Sequence, residues 1–105
     1  MVNVLKDGEI IGVVEYNNNL DIWNGSNWQN GGTGKHLGIT VIENDEERCY
    51  VLIHGSDWDG EFDYGEIISS DEAFQLIMRY NTDLLVEDKF KELNKFKKYL
   101  FKEVK

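Results

Sequence analysis

The sequence predicts an α+β protein: an antiparallel β-sheet of about five or six strands built from hairpins, followed by two C-terminal helices packed on one face. Three observations predict it. The turn dipeptides Asp7-Gly8 and Asn24-Gly25 interrupt the first part of the chain, and such pairs favour tight hairpins. The hydrophobic period changes from strand-like to helical at Ser69. Charge also divides the chain, with 16 Asp and Glu against 4 Lys and Arg in residues 1–86, and 4 against 7 in residues 87–105. The chain reads as one domain over 1–105, with the sheet in 1–68 and the helical part in 69–105.

The first hairpin spans Val2 to Val14. A type I′ turn at Asp7-Gly8 sets Lys6 opposite Glu9, Leu5 opposite Ile10 and Val4 opposite Ile11. Val2, Val4, Ile11 and Val13 then share one face. The second hairpin, around Asn24-Gly25, brings Trp23 and Trp28 onto neighbouring short strands, and the glycine-rich stretch Gly31 to His36 follows as a loop. Strands come next at Leu37–Ile42 and Arg48–His54, joined by the polar stretch Glu43-Asn44-Asp45-Glu46-Glu47. Cys49, Val51 and Ile53 alternate with Tyr50, Leu52 and His54, so both faces carry large side chains and the strand reads as central. A last strand covers Phe62–Ile68.

Ser69 and Glu72 have capping-box spacing, and Asp71 suits a helix's first turn. That helix runs to Tyr80 and turns Phe74, Ile77 and Met78 inward. Thr82 or Asp83 can cap a second helix. In it Phe90, Leu93, Phe96, Leu100, Phe101 and Val104 recur at helical spacing, with lysines largely between them.

Composition narrows the functional classes. With 41% hydrophobic residues and 12% aromatics the chain is globular rather than disordered. One cysteine, Cys49, rules out an internal disulfide. The N-terminus lacks the pattern of a signal peptide and no apolar run is long enough to cross a membrane, so a cytoplasmic location is expected. A net charge of −9 disfavours direct binding to nucleic acid and favours a basic protein surface.

Sites of known chemistry are tested by their spacing. A Walker A ending at Gly34-Lys35 fails, because Gln29 stands where glycine is needed and His36 where Ser or Thr is needed. Asp57, Asp59, Glu61 and Asp63 alternate as in the first half of an EF-hand, yet Phe62 and Ile68 occupy its glycine and glutamate positions. No metal or cofactor is expected. His36, Cys49 and His54 are the soft-metal candidates, too few for a zinc site. Cys49–His36 and Ser56–His54 are the nucleophile–base pairs to consider, and no nucleophile elbow supports either.

What remains points to binding. In an extended segment, the carboxylates of Asp57, Asp59, Glu61 and Asp63 project about 6.6 Å apart, twice the rise per residue, which resembles the spacing of charges on a nucleic-acid strand. Such a strip can occupy a basic groove built for phosphate. Trp58 lies among these carboxylates as an anchor, and Glu43, Asp45, Glu46 and Glu47 form a second acidic cluster. Small size, acidity and absent catalytic motifs resemble, in composition, the phage-encoded inhibitors of bacterial immunity such as anti-CRISPR proteins. That resemblance implies a non-catalytic inhibitor of a nuclease or other nucleic-acid-binding protein. The alternative is a small-ligand module, in which Trp23, Trp28, Lys35 and His36 hold a sugar or nucleotide. A homodimer through an exposed sheet edge is a third reading.

Overall fold

The computed structural model describes residues 1–20, 35–44, 47–56 and 62–97. They form β1 (Val2–Lys6), β2 (Glu9–Val14), β3 (Lys35–Asn44), β4 (Glu47–Ser56), β5 (Tyr64–Ile68) and α1 (Ser70–Tyr80), then 3₁₀ segments at Thr82–Val86 and Asp88–Phe96. The strands make a five-stranded sheet in the order β2-β1-β5-β4-β3. Three of its pairings are antiparallel, as expected, but β1 and β5 run parallel, so the sheet is mixed. The hairpin predicted at Asn24-Gly25 lies outside the described residues.

Asp7 and Gly8 have φ of 53° and 84°, the two positive values that a type I′ turn requires. Lys6 faces Glu9 and Leu5 faces Ile10 as the turn predicts. Beyond them the register departs from expectation. Val4 pairs with Gly12, which leaves Ile11 as the extra residue of a β-bulge. A one-residue shift reverses which side chains face the core. Val14 is therefore 8% exposed, whereas Val13, expected inside, is 51% exposed.

β3 and β4 are longer than predicted at both ends, which makes Glu43, Asn44 and Glu47 strand residues rather than loop residues. The Arg48 guanidinium lies 3.3 Å from the Glu43 carboxylate and donates to the Lys89 carbonyl at 3.3 Å. This ties the ends of both strands to the second 3₁₀ segment. β5 starts at Tyr64 rather than Phe62, whose side chain is exposed.

β4 separates two cores. Tyr50 and Leu52 pack with Ile39, Ile68 and the helical residues Phe74, Ile77, Phe90 and Leu93. Val51 and Ile53, which alternate with them, pack with Val2, Val4 and Val14, flanked by Ile42 of β3 and Ile67 of β5. Every strand thus contributes to this second cluster, which requires the sheet to curl. Its two edges approach closely enough that a Cβ on Gly12 of β2 would stand 3.9 Å from Ile42 Cδ1 of β3. Tyr16 and Asn17 then pass over Gly55 and Gly38, where any side chain would collide with them. Asn19 docks on the β3 edge, accepting from the Ile39 N–H at 2.9 Å and donating to its carbonyl at 3.2 Å.

Ser69 caps α1 as predicted, accepting from the Glu72 N–H at 3.1 Å. Phe74 and Ile77 are buried. The next cap is Asn81 rather than Thr82 or Asp83, since its side chain accepts from the Asp83 N–H at 3.2 Å. In place of one long second helix there are two 3₁₀ segments, separated at Glu87 by an extended ψ of 142°. The Asn94 amide bridges them by donating to the Leu85 carbonyl at 3.2 Å. Phe90 and Leu93 still face the core, and Phe96 packs on Phe74 with ring centres 5.5 Å apart. Leu100, Phe101 and Val104 lie outside the described residues.

The Tyr50 hydroxyl is buried and meets no hydrogen-bond partner among the described residues. Burial, and to a smaller extent the nearby Glu92 carboxylate, pushes its pKa above the ordinary value, while Arg48 pulls the other way.

Two outcomes follow for urea unfolding. Val14→Ala is expected to cost about 2 kcal/mol, because it removes two buried methyl groups, whereas Val13→Ala should change stability by less than about 0.5 kcal/mol. The unbulged register predicts the reverse order. Tyr50→Phe removes a buried, unpaired hydroxyl and is expected to be neutral or to stabilise by about 1 kcal/mol. The fold favours protonated Tyr50, so this contribution is complete below the ordinary tyrosine pKa of 10.0 and is lost as pH rises through the folded value. An alkaline titration of stability should therefore fall more steeply for the wild type than for Tyr50→Phe.

Candidate interaction surface

Registers place side chains from all five strands in rows on the face that carries Tyr50 and Leu52. One row reads Val13, Asn3, Tyr64, His54, Leu37 from β2 to β3. The next reads Ile10, Leu5, Glu66, Leu52, Ile39. In the second row Ile10 is 61% exposed, Leu5 and Glu66 are half-buried, and Leu52 and Ile39 are 9% and 0% exposed. The helical residues pack over β3, β4 and the end of β5, and their core includes no residue of β1 or β2. Among the described residues, Ile10, Val13 and Tyr64 are therefore left as exposed apolar groups on an open half-sheet.

His54 marks the border between the covered and open halves. Its Nε2 lies 2.9 Å from Glu66 Oε1, and its ring stacks on Tyr64 with centroids 4.7 Å apart and planes inclined by 18°. These are cross-strand contacts of the ordinary kind, one diagonal and one directly opposite. The stack holds the Tyr64 ring against His54, and Glu66 keeps a carboxylate beside the apolar patch. His54 adjoins no cysteine. Cys49 alternates with His54 onto the other face, and six residues of β3, about 20 Å of strand, separate its partner Ile42 from His36. The Cys49–His36 pair is thereby excluded by distance.

The residues singled out by sequence divide into three groups. Asp57, Trp58, Asp59, Glu61, Asp45 and Glu46 lie outside the described residues, as do Trp23 and Trp28. Glu43 is committed to Arg48, and Glu47 is exposed at the start of β4. Asp63 is exposed just before β5, Lys35 opens β3, and His36 is half-buried opposite Gly55. Glu47 and Ser56 bound β4, so the two acidic clusters adjoin opposite ends of a strand about 30 Å long. No group of three or more His, Cys, Asp or Glu able to hold a metal occurs among the described residues.

Sequence reasoning missed the open face. Its members come from β1, β2, β4 and β5, and only the β1–β5 pairing and the bulge bring them together. The one local signal was that Ile10 and Val13 differ by three, which alternation alone places on opposite faces.

No protein-family model matches the chain, and neither a characterised protein nor a solved structure does. No described helix is long and apolar enough to cross a membrane.

Substitutions along one row should show how far the helices cover the sheet. Ile10→Ala is expected to change the free energy of unfolding by less than about 0.5 kcal/mol, and Ile39→Ala to cost about 3 kcal/mol. Equal costs in urea titrations would mean that the half-sheet is covered.

Proposed function

We propose that this chain is a non-catalytic module that binds a basic partner protein. In its concrete form it is an inhibitor that occupies a nucleic-acid-binding groove on a nuclease or defence protein, as anti-CRISPR proteins do. The observation that carries the binding reading is the open half-sheet, where Ile10, Val13 and Tyr64 lie exposed beside the Glu66 carboxylate. Exposed apolar groups bordered by polar ones are characteristic of interaction surfaces. The net charge of −9 supplies the sign of the partner. Desolvating the apolar centre provides affinity, while the acidic surroundings speed encounter and exclude acidic competitors.

The inhibitor version rests on charge and on the acidic runs at either end of β4. A groove engaging both would have to be about 30 Å long, a length that suits a duplex-binding channel better than a pocket.

The tagged protein, immobilised and exposed to lysate of its natural host at low and high salt, tests the reading. A basic nucleic-acid-binding protein should be retained at low salt and released at high salt, because screening weakens exposed charge pairs. Lysine substitution of Asp57, Asp59 and Glu61 together should reduce that capture roughly tenfold, equivalent to 1.4 kcal/mol. Capture indifferent to both salt and charge reversal sinks the electrostatic reading.

A further inference from the structure

The edge of β3 is satisfied along only part of its length. Ile39 turns both its N–H and its carbonyl off this edge, onto the Asn19 amide. Leu37 turns its carbonyl the same way, accepting from the Leu20 N–H at 3.2 Å. In an antiparallel strand the backbone groups of alternate residues point to the same side. Those of Val41 and Glu43 therefore leave the same edge, and among the described residues nothing pairs with them. Asn19 and Leu20 thus behave as a partial sixth strand that stops one step short of Val41.

Beside that free stretch lies a groove of about 540 Å³, walled by Thr40, Val41 and Ile42 on one side and by Val13, Glu15 and Asn17 on the other. It sits where the two edge strands of the curled sheet approach each other. The Glu15 side chain is exposed in one wall, while the Glu43 carboxylate, where β3 continues past the groove, is paired with Arg48. Lys89 also reaches the groove, but its ammonium lies 3.7 Å from Glu87, and the chain as a whole carries −9. An edge unpaired among the described residues, a cleft alongside it, the exposed Glu15 and the net charge of −9 together specify the occupant: an extended segment, basic rather than acidic, held by its backbone.

We propose that the β3 edge from Val41 to Glu43 accepts an extended basic segment of the partner protein as an added strand, a proposal that rests on the basic-partner reading above. Strand addition draws affinity from main-chain hydrogen bonds and selectivity from alternate side chains. Here one set of side chains would lie over Ile42 and Val14, and lysine or arginine would reach Glu15.

The probe is a blocked hexapeptide alternating lysine and valine, compared with the same peptide N-methylated at every residue. Without peptide, the Val41 and Glu43 amides should exchange with solvent fast, and the Thr40 and Ile42 amides slowly. With peptide, the first pair should gain protection and shift in NMR spectra. Val41→Pro removes a donor that points away from β4 and so leaves the β3–β4 ladder intact. It is expected to retain the melting temperature within a few degrees and to bind the peptide roughly tenfold more weakly. Slow exchange at Val41 in the free protein overturns the proposal. So does equal binding by Val41→Pro or of the N-methylated peptide, although salt-sensitive binding in either case leaves the basic-partner reading standing. Absence of any peptide binding at low salt also overturns the added strand, while the lysate experiment decides the broader reading separately.

Discussion

The parallel pairing of β1 with β5 is the contact on which the rest of the structure depends. Every other strand pairing joins neighbours in sequence, β1 with β2, β3 with β4 and β4 with β5. Without the β1–β5 ladder, the first hairpin and the three-stranded meander would be separate pieces. Gly65 lies within that ladder, opposite Val4. A Cβ there would come within 2.7 Å of Val51 Cγ1 and 3.4 Å of Val4 Cγ2. The missing side chain on β5 lets valines from β1 and β4 meet across it, and both are fully buried. Close packing of this kind tolerates little added volume.

Once the two pieces are joined, the described helical segments cover only part of one face of the sheet. They pack over β3 and β4, and none of the described residues of that core comes from the first hairpin. On the opposite face the sheet covers itself by curling, with Ile42 and Gly12 drawing its edges together. The same curl creates the groove beside Val41. The open half-sheet and the free edge therefore arise from one geometric cause, a single sheet closed on one face and half-covered on the other. Asn19 and Asn81 secure the corner between these regions, since the Asn81 amide donates to the Asn19 carbonyl at 3.1 Å while the Asn19 side chain holds Ile39.

Local chemistry was legible where it is self-contained. Asp7-Gly8 makes its turn because both residues tolerate positive φ, and Ser69 caps α1 because its hydroxyl reaches an N–H three residues on. Ile11 was illegible for the opposite reason. Gly12 is the one mark of a bulge in the run Glu9 to Val14, yet it does not say which residue is extra, and that extra residue exchanged the roles of Val13 and Val14. The second helix shows the same limit. Phe90 and Leu93 were correctly placed inward by spacing, but the 3₁₀ winding and the break at Glu87 follow from the fit of Leu84, Leu85 and Phe90 against the sheet. Of the candidate site, sequence supplied the charge and the acidic runs, whereas the apolar face and the free edge depend on register.

By itself the sequence determined the α+β class, the first hairpin's turn, the α1 cap and the acidic character of the surface. These depend on residues near one another in the chain, or on composition, where intrinsic preferences act without a partner. Tertiary structure alone decided that β1 lies beside β5, that Ile10 and Val13 face outward, and that pairing along the β3 edge ends at Ile39 among the described residues. Such outcomes are set by which distant segments pair and bury apolar surface together, a choice that no local preference contains.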